Sequence, residues 1–399
     1  VNTNVLRNGP ATGRNYTANV TATEMQFYTP DRLYSVQATG AVSQKYFSDR
    51  KADTGHTLAL SAGKTGGMYT ARYDLRLISD DYDPNDMGYL RRNNLFSNLL
   101  TFGFNQYAPA GPFYSSRSSL SISYDRLYSP SAYSDLKLIL KSSAVFSNFW
   151  TLSLSGTLSP VGSDDYFEPR MAGRMYHRRP SAVIGAEAAS DPRKAIMISM
   201  EAGFGSHYQE PGRYSAGIEV NPSVRFSNRF SAEAGLNWEL DRNDEGYAGM
   251  TESSIIFGQR DNRTFSFEFD LAYLFTARSY LSFRLREYWA TAVYSGKYYF
   301  LNAEGSLSDA EVTRSDNTSY NAFNADLNYT WRFAPGSELT FVMKNTLYDT
   351  RKEIPSSPAD NLRGLMDLDM TRSISCKVIW YLDYHTISVR GLSGRRREG

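Results

Sequence analysis

The sequence has little of what most functional classes require. It contains a single cysteine, Cys376, so an intrachain disulfide is excluded. No continuous run of about 18 apolar residues occurs, which excludes a membrane-spanning helix. The formal net charge is only +1, which argues against a dedicated nucleic-acid-binding protein. The class of protein must therefore be inferred from the pattern of residues along the chain.

Catalytic and metal-binding motifs are also missing. The four histidines (His56, His177, His207 and His385) stand far apart, and no two of them have the spacing of metal ligands. No nucleophile elbow, phosphate-binding loop or dinucleotide-binding fingerprint occurs. We therefore expect no catalytic residues, no cofactor and no bound metal.

What the sequence does have is alternation between apolar and polar residues. From Phe265 to Phe275, phenylalanine, leucine and tyrosine occupy one parity, and threonine, serine, glutamate, aspartate and alanine occupy the other from Thr264 to Ala272. Because successive side chains of a strand point to opposite faces, this pattern predicts a long two-faced strand. A second such strand, from Tyr280 to Val293, follows a turn at Ala277–Ser279.

Pairing of these two strands as a hairpin predicts specific ion pairs. Glu268 and Asp270 then lie opposite or diagonal to Arg284 and Arg286 on the polar face. Strands of about 9–11 residues, apolar toward lipid and polar toward a wet lumen, are typical of transmembrane barrels. We therefore expect these four charged residues to line a lumen.

The same unit recurs along almost the whole chain, with short and long connections alternating. The predicted fold class is all-β, a transmembrane antiparallel β-barrel of about 16–18 strands in this chain. Further strands are expected if the full-length protein is longer. Residues 1–14 are predicted to be a loop or strand remnant, 15–390 the barrel, and 391–399 a tail. The aromatic content of 14% and the mean hydropathy of −0.46 fit this class, since only alternate strand residues meet lipid.

Three details complete the predicted strand map. The count of about seventeen strands is odd, whereas single-chain bacterial barrels usually have an even number of strands. The chain is therefore predicted to lack its beginning, unless Val1–Asn8 supplies the missing strand. Asp241–Gly249 and Arg351–Arg363 are predicted to be loops, and Tyr298–Phe300 a separate short strand within a third loop. The last strand is predicted to include Ile374 and to run to Tyr384.

Two further long connections carry dense charge, and we call them loop A (Asp80–Asn94) and loop B (Pro160–Pro180). Unpaired charge is costly inside a narrow lumen. We therefore predict that both loops fold inward or across the mouth and narrow it, with Arg170 and Arg174 bonded to carboxylates. The candidate lumen or plug residues in the loops are Asp83, Asp86, Arg91, Arg92, Asp165, Glu168, Arg170 and Arg174.

Two chemical readings of these loops were weighed against a structural one. Asp81, Asp83 and Asn85 have the spacing of calcium ligands, but the positions that an EF-hand reserves for Gly and Glu hold Asp86 and Arg92. The alternative is a turn-rich loop whose carboxylates pair with Arg91 and Arg92. In loop B the carboxylates could flank a sugar for glycoside hydrolysis, but the nearby arginines favour a loop tied by ion pairs.

Four motifs carry a resemblance to a known family. They are DPNDMGYLRRNN (83–94), DDYFEPRMAGRMYHRRP (164–180), SDPRK (190–194) and VIWYLDY (378–384). They resemble the C-terminal barrel of a Bacteroidota family of unknown function, which usually follows a carbohydrate-binding module similar to family 9. The resemblance spans about Asn15 to Tyr384, and it implies an outer-membrane location without implying catalytic residues.

The expected function is a plugged or gated barrel in the bacterial outer membrane, working in a cell-envelope complex for surface glycan handling or for outer-membrane assembly and transport. The expected partners are membrane lipid and lipopolysaccharide, other outer-membrane proteins or lipoproteins, and glycans, with no nucleic acid. One alternative is a diffusion channel or transporter for a small solute or oligosaccharide. A barrel-anchored carbohydrate-active enzyme is the least favoured.

Overall fold

The computed structural model describes residues 2–7, 16–252 and 254–382, and almost all of its elements are β-strands. Tyr384 and residues 391–399, assigned from the sequence to the last strand and a tail, lie outside the described residues. In chain order the elements are β1 (Asn2–Arg7), β2 (Tyr16–Tyr28), β3 (Tyr34–Phe47), β4 (Asp53–Lys64), β5 (Tyr69–Ile78), β6 (Leu95–Gln106), β7 (Phe113–Arg126), β8 (Tyr133–Phe146), β9 (Thr151–Ser159), β10 (Ser163–Asp165), β11 (Tyr176–Arg178), β12 (Ser181–Ala189), β13 (Ile196–His207), β14 (Glu210–Arg225), β15 (Phe230–Met250), β16 (Ile255–Thr276), β17 (Ser279–Leu301), β18 (Leu307–Ala310), β19 (Thr318–Ala334), β20 (Ser337–Arg351), α1 (Pro358–Met366) and β21 (Thr371–Ile379).

The described strands form one 21-stranded antiparallel sheet. Apart from the three short strands β10, β11 and β18, each strand pairs with the long strands before and after it in the chain. This up-and-down order places 18 strands side by side. Within the described residues, β1 pairs only with β2, and β21 only with β20. The prediction of an all-β antiparallel sheet is confirmed.

The cross-strand register gives the sheet one apolar face and one polar face, because directly paired residues point to the same side. Ile218, Trp238 and Phe265 are paired in a row across β14, β15 and β16. On the opposite face, Glu187 is paired with Glu201 across β12 and β13. The apolar face is widely exposed, with Ile184 of β12 at 62%.

The two ends of the sheet differ in their connections. At one end, the turn end, short turns such as Ala277–Arg278 and Pro335–Gly336 join the strands. At the other, the loop end, lie loop A, loop B and the connections over residues 302–317 and 352–370. The four longest connections therefore lie at the loop end, but other connections at that end, such as residues 208–209 and 48–52, are short. The predicted alternation of short and long connections is thus present only in part.

Two strands are longer than the sequence predicts. Asp241–Gly249, expected to be a loop, belongs to β15, and Tyr298–Phe300, expected to be a separate strand, continues β17. Bulges at the loop-end parts of β15 and β16 shift the register there. A bulge inserts one residue and breaks the alternation on which the sequence prediction depends. The extended strands bury Phe257 and Ile255 in a small core with Tyr176 and Leu301.

Helix α1 lies in the connection that the sequence assigned to a loop. Ser357 caps it by accepting a hydrogen bond from Asp360 N at 3.1 Å, and Pro358 begins it, both favourable at a helix N-terminus. Leu365 packs against Phe323 and Leu347, so the helix covers part of the apolar face near the loop end. No helix among the described residues is long and apolar enough to cross a membrane.

Candidate functional site

The predicted charged ladder of β16 and β17 is present. The register pairs Glu268 with Arg286 and Asp270 with Arg284, which confirms the predicted hairpin. Arg284 Nε lies 2.5 Å from Asp270 Oδ1, and Arg286 Nε lies 3.1 Å from Glu268 Oε1. These side chains stand on the polar face and are partly exposed, so each pair contributes at most about 1 kcal/mol.

Loop A packs against the polar face of β3 and β4. Lys45 and Ser43 lie on that face because they alternate with Val42 of the apolar row. Lys45 Nζ lies 2.6 Å from Asp83 Oδ2 and 3.1 Å from Asp86 Oδ2, while Ser43 Oγ accepts a hydrogen bond from Asp83 N at 3.0 Å. The loop is therefore attached to the sheet through its acidic residues.

The partners of these acids differ from those expected. The sequence alternative paired Asp83 and Asp86 with Arg91 and Arg92, and that is wrong, because Lys45 of β3 takes their place. Burial opposes ionisation of Asp83, but the hydrogen bond and charge of Lys45 together with the hydrogen bonds from Asn85 outweigh it and lower the pKa of that carboxyl. An ammonium group thus occupies the position that a cation bound to the loop would need.

Tyr82 and Gly55 also allow loop A to pack closely against the sheet. Tyr82 is buried against Ala41 and Ile78 on the polar face. Gly55 of β4 lies directly beneath the loop, and a Cβ there would stand 2.2 Å from Tyr82 Cα. Only a residue without a side chain lets the loop backbone approach the strand this closely.

Replacing Gly55 with alanine should therefore lift loop A from the sheet. We expect a loss of about 1–3 kcal/mol, typical of overpacking, and faster tryptic cleavage after Arg91 and Arg92. Gly156→Ala is the matched control, because a Cβ at Gly156 meets nothing within 4 Å. Equal protease resistance of the two variants would show that loop A does not depend on this contact.

Loop B is held internally by β10 and β11, which pair as a small hairpin. Asp165 Oδ1 accepts hydrogen bonds from Phe167 N at 2.9 Å and Glu168 N at 3.0 Å, and Asp165 Oδ2 lies 3.1 Å from Arg178 Nη2. Burial would raise the pKa of Asp165, but these donors outweigh it and lower the pKa. This carboxylate is thus engaged in holding the loop.

Loop B reaches strands that are distant from its own in the sheet. Glu168 Oε1 accepts a hydrogen bond from Tyr247 N at 2.8 Å and lies 3.9 Å from Arg260 Nη2. Arg174 Nη2 donates to the carbonyl oxygens of Leu301 at 2.7 Å and Asn302 at 2.9 Å. The loop begins after β9 and therefore bridges across the polar face to β15, β16 and β17.

The prediction that Arg170 and Arg174 bond to carboxylates is wrong. Arg174 binds backbone carbonyls, and the guanidinium of Arg170 stacks over the ring of Tyr247 at 4.6 Å. Neither forms an ion pair with a carboxylate among the described residues. Carbonyl groups and an aromatic ring face satisfy a guanidinium without an acid, a choice that sequence spacing does not reveal.

A buried polar cluster, which we call the Arg213 cluster, anchors loop B on the polar face. Its members are Tyr176, Glu210, Arg213, Asp244 and Glu245. Tyr176 Oη donates to Glu245 Oε2 at 2.6 Å and accepts from Arg213 Nη1 at 3.0 Å. Burial raises the pKa of Tyr176, so it stays protonated and able to donate.

The two loops also contact each other. The guanidinium of Arg92 in loop A lies 4.1 Å from the ring centroid of Phe167 in loop B. Arg91, the neighbouring candidate, is exposed and forms no ion pair within the described part of the chain. Contacts from β3 to β17 thus link loop A and loop B into one layer over the polar face at the loop end.

The sequence pattern alone does not reveal the roles of Lys45 and the Arg213 cluster. Lys45 stands on the polar parity of β3, a detectable signal, but its partners are about 40 residues away. Asp244 and Glu245 were assigned to a loop because bulges hide the strand pattern. No group of three or more His, Cys, Asp or Glu side chains in the described residues is placed to hold a metal ion.

These features define an all-β protein built on one antiparallel sheet, with an exposed apolar face and a polar face that long loops cover at one end. The chain belongs to the family of the Domain of unknown function (DUF5916), whose family model matches residues 1–390. The family description states no activity. No curated protein matches the chain.

Proposed function

We propose that the chain is an outer-membrane β-barrel protein of bacteria. In this proposal the sheet closes into a barrel, the apolar face meets lipid, and the polar face lines a lumen. Three observations support it: the strands are two-faced, the apolar face is exposed, and short turns stand at one end with long loops at the other. All three are typical of transmembrane barrels.

We further propose that the barrel is plugged or gated and serves as one component of a cell-envelope complex. The observation that carries this step is the bridging of the polar face by loop B, which reaches from β9 to the carbonyls of Leu301 and Asn302. Loop A is joined to it through Arg92. A lumen crossed by such a layer conducts poorly until the layer moves or a partner displaces it.

The second candidate function is a diffusion channel or transporter. It is favoured by open cavities on the polar face near the turn end, one of about 420 Å³ between β7 and β13. In both candidates the expected partners are those that the sequence suggests: outer-membrane lipid, lipopolysaccharide and other envelope proteins.

Planar-bilayer recording tests the plug. We expect low conductance from the purified protein and a severalfold rise when residues 164–178 are replaced by a short Gly/Ser linker. Arg92→Ala should raise conductance slightly by removing the contact with Phe167, whereas Arg91→Ala, the adjacent control, should not. Large and steady conductance that loop shortening leaves unchanged would contradict the plug and favour the channel.

A further inference from the structure

A cavity on the polar face near the turn end combines acidic and basic walls. It has a volume of about 420 Å³ and lies over β7, β8, β9, β12 and β13. Arg117 and Lys141 line one side, and Glu187 and Glu201 line the other. The remaining lining is mostly small and polar, with Ser119, Ser142, Ser143, Ser153 and Ser155.

The acidic wall is arranged at a cost to the fold. Glu187 and Glu201 are directly paired across β12 and β13, and like charges at such positions are destabilising. Neither lies within 4.0 Å of a basic side chain in the described parts of the chain. A carboxylate pair without a bound cation favours a cationic group of a solute as its partner.

The basic wall lies opposite the acidic wall but does not contact it. Lys141 on β8 and Glu187 on β12 are separated by β9, so their strands are about 10 Å apart. Arg117 donates from Nε to Asn105 Oδ1 at 2.8 Å, which fixes the guanidinium beside the cavity. Ser143 and Ser153 are paired between the two walls and bring hydroxyl groups to the gap.

The two neighbouring cavities on the polar face show the same separation of basic from acidic residues. The cavity on the β4–β7 side is lined by Lys64, Arg72 and Arg117 and by no acid, although Arg72 pairs with Asp74 at 2.8 Å. The cavity on the β13–β16 side is lined by Glu233, Glu268 and Asp270 and by no base, although the last two pair with arginines of β17. The mixed cavity therefore lies where the basic part of the polar face meets the acidic part.

We propose that this cavity binds zwitterionic solutes whose charges are about 10 Å apart, the class that includes short peptides. The ammonium group contacts Glu187 and Glu201, the carboxylate contacts Lys141 and Arg117, and the serine hydroxyls bind the polar groups between them. A solute with both charges satisfies both walls, whereas a solute with one charge leaves the other wall uncompensated. This proposal rests on the proposed function, because the site requires that the polar face line a lumen open to solute.

The test uses the full chain in detergent micelles and isothermal titration calorimetry. The probes are triglycine, which is zwitterionic, N-acetyl-triglycine, which is anionic, and triglycine amide, which is cationic. We expect triglycine to bind at least about tenfold more tightly than either blocked form, a difference of about 1.4 kcal/mol. Raised salt should reduce this preference.

Variants locate the site. The double substitution Glu187→Gln and Glu201→Gln should remove the preference for triglycine over the acetylated form, and Lys141→Gln should reduce the preference over the amide, since Arg117 remains. Glu233→Gln is the control, because it removes an acid from the polar face outside this cavity. Equal affinity for the three probes, no binding of any probe, or an unchanged preference in both charge variants would overturn the proposal.

The outcome is distinguishable from failure of the plug. Calorimetry in micelles does not depend on whether the loops block conduction, so a conducting protein can still show the preference. A protein with low conductance and no preference would leave the plug intact and remove only this site.

Discussion

Replacing Arg213 with methionine should destabilise the loop end by about 3–5 kcal/mol, because it leaves the largely buried carboxylate of Glu245 without its cation. The Arg213 side chain is only 5% exposed. Its Nη atoms lie 3.0 Å from Glu245 Oε2 and 3.2 Å from both Asp244 Oδ1 and Glu210 Oε2. Methionine has a similar length but provides no charge and no donor for Tyr176.

The matched control is Arg242→Met. Arg242 also forms an ion pair, at 2.7 Å with Asp261, but its side chain is 46% exposed. Exposed pairs contribute about 0–1 kcal/mol, so the same substitution should cost little there. Urea unfolding in lipid vesicles measures both costs, and proteolysis of loop B shows where the change acts. Similar losses in the two variants would mean that the Arg213 cluster does not anchor the loop.

The second large effect is expected at Phe269. Substitution by arginine should cost about 2–4 kcal/mol if the side chain lies near the bilayer midplane, because a guanidinium is costly to place in hydrocarbon. Phe269 is paired with Ala234 and Leu285 in the apolar row of the sheet. The cost should appear when the protein unfolds from lipid vesicles.

Ser266→Arg provides the comparison on the polar face of the same strand. Ser266 is paired with Asn237 and Tyr288 and lies two residues before Glu268, on the same face of the strand. An arginine there enters a charged, wet surface, so we expect a much smaller loss. If Phe269→Arg were no more costly than Ser266→Arg, the apolar face would not meet lipid, and the proposed location would have to be abandoned.

Both predictions concern the same arrangement of a two-faced sheet and the loops that cover its polar face. In the proposed barrel, the two-faced sheet is the wall, and the loop layer decides whether that wall encloses an open passage. The Arg213 cluster and the Lys45 contacts hold the two halves of that layer. Under this proposal, a partner that displaced either contact would open the lumen without changing the sheet.

Strand existence and the two faces could be read from the sequence, because alternation is a local property with a period of two. That Glu268 and Asp270 lie opposite or diagonal to Arg284 and Arg286 followed from the same rule, since a short turn limits the register of a hairpin. The recurrence of that unit also indicated part of the alternation of short and long connections. The extents of β15 and β17 were not readable, because bulges interrupt the period.

What covers each face was decided only by the tertiary structure. Lys45 reaches Asp83, and Arg174 reaches Asn302, over 38 and 128 residues of chain. Such contacts depend on how the sheet curves and on where each loop lies, and neither leaves a periodic trace in the sequence. Charge density in loop A and loop B indicated that they needed partners. The choice among carboxylate, carbonyl and aromatic ring was made by which groups the folded sheet brought within reach.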